Sequence, residues 1–242
     1  MDRSSYLAAI ERDGEAFAGS CAAAGLDAPV PSCPGWNVAD LVWHLSEVHW
    51  FWTTVVREQL TSPSTYVEPP RPADSELLDF YRTGFAETVR VLTEADPQSV
   101  VWTWTPDHSA GWVVRRMAHE TAVHRWDADL AARRDMPIEA ELASDGIDEF
   151  LHFFMGHAKE GTPSVDGSVH IHCTDVAGEW TARPDSAGGF DITREHAKGD
   201  CAIRGAASDI LLALWRRQPL DGLDIVGDAG VAARFVARND LN

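Results

Sequence analysis

Long apolar runs are missing from this chain. A bilayer-spanning helix needs about 20 consecutive apolar residues, and no stretch supplies them. The N-terminal stretch MDRSSYLAAIERDGEAF also lacks the apolar core of a secretory leader. The expectation is a cytoplasmic protein with no membrane partner. Cysteine is scarce. The four residues Cys21, Cys33, Cys173 and Cys201 form no C-x-x-C pair, which excludes a zinc ribbon and a thioredoxin motif. Scattered cysteines in a cytosolic chain are mostly buried thiols, poor candidates for chemistry. Positive charge is scarce too. Lys and Arg total 20 against 38 Asp and Glu, a formal net charge of −18 that repels phosphate backbones and argues against nucleic acid. Internal repeats and low-complexity tracts are absent as well.

What is present is a globular composition, 45% hydrophobic and 24% charged over 242 residues. That length suits one large domain or two of ordinary size. The first half has helical periodicity. Residues 4–24 place Tyr6, Leu7, Ile10, Phe17 and Cys21 on one face. PVPSCPGW at 29–36 breaks the helix, and Asn37 can cap the next, which runs to about residue 60. After the proline-rich loop 61–74, a third helix is predicted from Ser75 to about Ala95. A fourth follows from about Trp112 to Arg134, beyond the loop 102–112. The pattern predicts an antiparallel four-helix bundle over residues 1–138.

Near residue 137 the pattern changes. One more helix is predicted over 139–159. In GSVHIHCTD, Val169, Ile171 and Cys173 alternate with His170 and His172, which is strand periodicity. GEWTARPD, FDITREH, DCAIRG and LDIVGD read as further strands. SDILLALWRR reads as a helix capped by Ser208, and DAGVAARFVAR as a closing helix. The expected fold class is therefore α+β with two domains, a bundle over 1–138 and a small α+β unit over 139–242.

The segment RRMAHETAVHRWDAD carries the chemistry. Glu120 and His124 are four apart on a predicted helix, so they share a face. A carboxylate oxygen and an imidazole nitrogen held that way can bind one divalent metal. His44, in DLVWHLSEVHW, is the natural third ligand. Three protein ligands with a fourth position open is the layout of catalytic zinc. A lone histidine on an apolar helix is more often packed or hydrogen-bonded than ligating. Glu120 shifts that balance, because a carboxylate among Met117, Ala118, Thr121, Ala122 and Val123 needs a partner. A metal is one partner; Arg116 and Arg125 are others. His119 gives HETAVH the look of a zincin motif with one extra residue. His119 and His124 are about 140° apart around the helix, so they do not share a face well. His119 can instead line the pocket. His49 is less favoured than His44, and Asp127 can hold an imidazole from behind or lie on the surface. Eight tryptophans, Trp36, Trp43, Trp50, Trp52, Trp102, Trp104, Trp112 and Trp126, fall in the first domain. At least five are expected in the bundle core, and others can wall the site.

PSCPGWNVADLVWHL at 31–45 and GWVVRRMAHETAVHRWDAD at 111–129 resemble the mycothiol-dependent maleylpyruvate isomerase family, a group of actinobacterial proteins with a DinB-like metal-binding bundle. GDCAIRGAASDILLALWRRQPLDGLDIVGD at 199–228 resembles that family's C-terminal domain, which is similar to sterol-carrier proteins. The resemblance implies Zn2+, or another divalent metal, on His44, Glu120 and His124. It also implies mycothiol as cosubstrate and a C-terminal-domain arginine near the active site, for which Arg204 and Arg217 are the candidates. The Arg216-Arg217 pair departs from the family's usual Gly-Arg and weakens the case for Arg217.

The implied chemistry is activation of a low-molecular-weight thiol for addition to a small electrophile. In an isomerase the thiolate adds to the double bond of maleylpyruvate, the single bond rotates and the thiol leaves; in an S-transferase the conjugate is the product. An arginine suits a substrate carboxylate. Two rivals stand beside this reading. One is a zinc hydrolase using metal-bound water, with His119 or His49 as base. The other is a non-catalytic protein that binds an apolar ligand in its sterol-carrier-like half. Monomer and homodimer are both compatible with the sequence.

Overall fold

The computed structural model describes residues 1–155 and 164–238. They divide into two compact units, Met1–Met136 and Pro137–Asn242. Among the described residues no helix is long and apolar enough to cross a membrane.

The first unit is four helices: α1 (Arg3–Ala24), α2 (Val38–Arg57), α3 (Asp74–Glu94) and α4 (Ala110–Ala131). Each start has a local cause. Asp2 accepts from the Ser5 amide at the head of α1. Asn37 and Asp40 form a reciprocal capping box on α2. Ser109 accepts from the Trp112 amide and starts α4 slightly before the predicted Trp112. The helix pairs α1–α4 and α2–α3 make the broadest contacts. Phe17, Cys21, Leu41, Val42, Leu45, Leu77 and Tyr81 fill the core. Beside it runs a buried polar lattice. Arg125 pairs with Asp129 at 2.9 Å and reaches Asp13 at 3.4 Å, and Ser20 donates to Asp129 at 2.5 Å. These contacts fix the rotation of α4 against α1. Gly14 is required where Phe85 of α3 lies against α1, since a Cβ there would strike the ring. Phe85 in turn stacks on His49 of α2, with ring centroids 5.7 Å apart.

The second unit opens with α5 (Ala140–Phe150), extended by a π-turn, Leu151–Met155. The predicted helix over 139–159 reaches past these residues, and its last four lie outside the described residues. Five strands follow: β1 (Val169–Cys173), β2 (Glu179–Pro184), β3 (Phe190–Thr193), β4 (Cys201–Gly205) and β5 (Asp224–Gly227). Helix α6 (Ala207–Leu214) precedes β5, and α7 (Ala229–Ala237) closes the unit. The sheet order is β3-β2-β1-β4-β5, with β1 and β4 parallel and the other pairs antiparallel. Helices α6 and α7 pack on β4. Val169, Ile171, Trp180, Ala182 and Ile203 are buried in the strands, as are Ile210, Leu211, Leu214 and Phe235 in the helices. The fold class is thus α+β with two units, as the periodicities suggested.

Two expectations are corrected. Ser208 is not the cap of α6. Ala206 holds that position without a side-chain bond, and the Ser208 hydroxyl instead accepts from the buried Ile138 amide at 2.9 Å. The strand-to-helix turn comes two residues earlier than the serine suggested. Fewer tryptophans are buried than expected: Trp52, Trp112 and Trp126 are buried, Trp36, Trp43 and Trp102 are half-buried, and Trp50 and Trp104 are exposed. Trp52, Trp102, Trp104 and Trp112 pack on one another with centroids 4.7–6.0 Å apart, so part of this aromatic area is buried against other tryptophans.

Candidate metal centre

His44 lies on α2, and Glu120 and His124 lie one turn apart on α4. Packing of the two helices brings the three together, with one ligand atom from each within 4.8 Å of the others. Glu120 Oε1 is the meeting point, 3.1 Å from His124 Nε2 and 3.5 Å from His44 Nε2. The two imidazoles meet edge to face with centroids 4.9 Å apart. A tetrahedral zinc with bonds of about 2.1 Å needs ligand atoms about 3.4 Å apart. The observed separations bracket that value, and two imidazoles with a carboxylate are a zinc-type donor set. The residues therefore fit a divalent metal.

The surroundings prepare each donor. The second carboxylate oxygen of Glu120 is held by Arg116, one turn back on α4. Arg125, the other arginine considered as a partner, is occupied by Asp13 and Asp129. Burial opposes ionisation of Glu120. The Arg116 guanidinium and His124 overcome it and hold the carboxyl well below the usual carboxylate range. His124 is braced from behind, its Nδ1 being 2.9 Å from Asp127 Oδ2. Asp127 is fully buried, and its other oxygen accepts from the Ser32 hydroxyl at 2.5 Å. The proline-rich PVPSCPGW segment thus supplies the group that positions Asp127. A carboxylate accepting from the far ring nitrogen fixes tautomer and orientation, leaving Nε2 free to ligate.

His44 is the most open member, its side chain 36% exposed against 6% for His124. Trp36 lies against it, ring centroids 5.1 Å apart. His49 is fully enclosed and bonded through Nε2 to Thr121 at 2.9 Å. Burial drives its pKa down to about 3, so it is neutral near pH 7. His119 is not brought into the cluster. It is buried with its ring edge-on to Tyr6 of α1, centroids 6.2 Å apart, as its angular offset from His124 requires. Cys21, Cys173 and Cys201 are poor nucleophiles. None is in a disulfide, and burial pushes Cys21 and Cys173 up to about 12 and Cys201 to about 11. Cys33 is half-buried.

In the second unit, Arg204 lies on β4 directly across from His172 and pairs with Asp224 at 3.1 Å. Arg217 follows α6 and lines a pocket with Leu223 and Ile225 around β5 and Ala233 and Val236 of α7. The two arginines therefore occupy different parts of the unit.

Comparison with known proteins adds to this geometry. Direct comparison with curated proteins gives no match. Among solved structures, mycothiol-dependent maleylpyruvate isomerase is similar at a TM-score of 0.65, with 11% identity over 95% of each chain. A histidine-to-alanine variant of it gives 0.67, with the same identity and coverage. At that identity the likeness shows the fold. Family models match in order along the chain: the mycothiol maleylpyruvate isomerase N-terminal domain over residues 7–129 and the corresponding C-terminal domain over 141–234. With both domains matched in sequence and the whole fold shared, the chain belongs to the mycothiol maleylpyruvate isomerase family.

Proposed function

We propose that this chain is a metal-dependent enzyme that activates a low-molecular-weight thiol, mycothiol, for addition to a small electrophile, with cis–trans isomerisation of a maleylpyruvate-type substrate as its reaction. The observation that carries this reading is the convergence of His44 Nε2 and His124 Nε2 on Glu120 Oε1. A free thiol has a pKa near 8.5, roughly, and is mostly protonated at neutral pH. A divalent ion bound here would supply Lewis acidity that favours the thiolate form of such a thiol. His44, Glu120 and His124 would hold the metal. Arg116 keeps Glu120 ionised and oriented, and Asp127 with Ser32 keeps the His124 ring turned. The exposed edge of His44 leaves the approach for thiol and substrate. The neutral His49 adds no competing charge beside the site. With the thiolate formed, its sulfur would add to the substrate double bond and place the electron pair on the conjugated carbonyl as an enolate. Rotation about the resulting single bond follows, and return of the pair re-forms the double bond and expels the thiolate. Arg204 and Arg217 are proposed for the substrate carboxylates, each tested by replacement with Gln and a rise in KM.

The test is a spectrophotometric assay of maleylpyruvate conversion with and without mycothiol. The reading expects turnover that requires both metal and thiol and is lost in His44→Ala. Metal-dependent hydrolysis without added thiol would overturn it.

A further inference from the structure

A second cluster of ligand-type side chains lies in the C-terminal unit, and neither the family match nor the proposed chemistry uses it. His170 and His172 are two apart on β1 and so share one face of the sheet, opposite Val169, Ile171 and Cys173. Antiparallel pairing sets Glu179 of β2 directly across from His172 and Thr181 across from His170. Thr193, at the end of β3, pairs with Thr181, and His196 follows three residues later. The topology thus folds four side chains from three chain segments over one spot. One donor atom from each of His170, His172, Glu179 and His196 lies within 4.8 Å of the others.

Glu179 Oε1 is again the focus. His172 Nδ1 is in close contact with it, His196 Nδ1 is 2.8 Å away and His170 Nε2 is 3.6 Å away. Hydrogen bonding accounts for two of the three histidines. It does not account for His170, which is 7% exposed and whose Nε2 has no hydrogen-bond partner among the described residues. A buried ring nitrogen left unbonded in this way is costly. It is aimed at the oxygen the other two histidines already share.

We propose that His170, His172, Glu179 and His196 form a second divalent-metal site, independent of His44, Glu120 and His124 and specific for a borderline first-row ion such as Zn2+. Three imidazoles with one carboxylate suit zinc, nickel or copper. They do not suit magnesium or calcium, which take oxygen ligands. The ion would tie the segment after β3 to the β1–β2 pair, since His196 is otherwise exposed.

The test uses untagged full-length chain, stripped of metal and titrated with Zn2+ against a chromophoric chelator. Glu120→Ala should still bind one equivalent, and adding His170→Ala with His196→Ala should remove it. Co2+ loaded into Glu120→Ala should show visible ligand-field bands that the triple variant lacks, and Mg2+ should not bind. Loss of all zinc binding in Glu120→Ala alone, or persistence of the equivalent in the triple variant, would overturn the proposal. Should the triple variant misfold, His196→Ala in the Glu120→Ala background decides. Its side chain is exposed, so the fold is retained, and zinc affinity should fall by about tenfold or more; an unchanged affinity refutes the site. Failure of the first site would show as equal zinc in wild type and Glu120→Ala, a result separate from any effect of the His170 and His196 changes.

Discussion

Replacing Asp127 by Asn separates metal binding from folding. Asp127 touches no metal in the proposed site. It bonds His124 Nδ1 at 2.9 Å and accepts from Ser32 at 2.5 Å while fully buried. Asn has the same shape, so packing is retained. Its amide keeps one acceptor oxygen and loses the charge that favours a strongly donating imidazole. Loss of such a partner behind a ligating histidine costs about 10–100-fold in metal affinity, which is about 1.4–2.7 kcal/mol. Stability of the metal-free chain should fall by less, because Asn can still bond both neighbours; a single neutral hydrogen bond is worth roughly 1 kcal/mol. Zinc competition with a chromophoric chelator at pH 7.5, beside thermal melts of the stripped protein, measures both quantities. The experiment is done in His170→Ala with His196→Ala, so that the second cluster does not contribute. A zinc affinity within about twofold of the parent would refute the idea that Asp127 holds a ligand.

Other predictions test the surroundings. Burial, the Glu68 hydrogen bond and the Glu68 charge push the Glu47 carboxyl up to about 7. A raised carboxyl stabilises the fold at low pH and is penalised as pH rises from its ordinary value through about 7. Glu68→Gln should therefore raise the melting temperature at pH 8 and leave it unchanged at pH 4. The gain is roughly 0.5 kcal/mol after solvent screening, and an equal effect at both pH values would contradict this origin. Ser208→Ala strips the buried Ile138 amide of its acceptor. It should cost about 1–3 kcal/mol in urea unfolding of the second unit; no change would show that the amide finds another partner. Cys33 should react with a disulfide reagent in the native chain well before Cys21, Cys173 and Cys201, which burial holds at about 11–12. A fast phase that survives Cys33→Ser would contradict that order.

The periodic parts of the fold were legible from local rules. Asn37 caps α2 as its residue type suggests, and the alternation in VHIHC marks β1. Glu120 and His124 could be paired because helical spacing is a local property. Placing His44 beside them needed the assumption of a bundle, and α2 against α4 brings it there. Asp127 was ambiguous because its hydrogen-bond partner Ser32 lies 95 residues away in the chain. The tryptophan burial was overestimated because composition does not show that four of the rings pack on one another. The His170 cluster was visible only in part. The strand alternation singled out His170 and His172, but Glu179 and His196 join them through strand register, which no single segment encodes.

The first metal centre is tested most directly by the zinc content of untagged protein purified without chelators, wild type beside Glu120→Ala. The expected result is one fewer zinc per chain in the variant, with the fold intact by circular dichroism. Equal zinc in the two proteins, or none in the wild type even after zinc is supplied, would contradict a metal centre at His44, Glu120 and His124 and leave Glu120 as an ion-pair partner of Arg116.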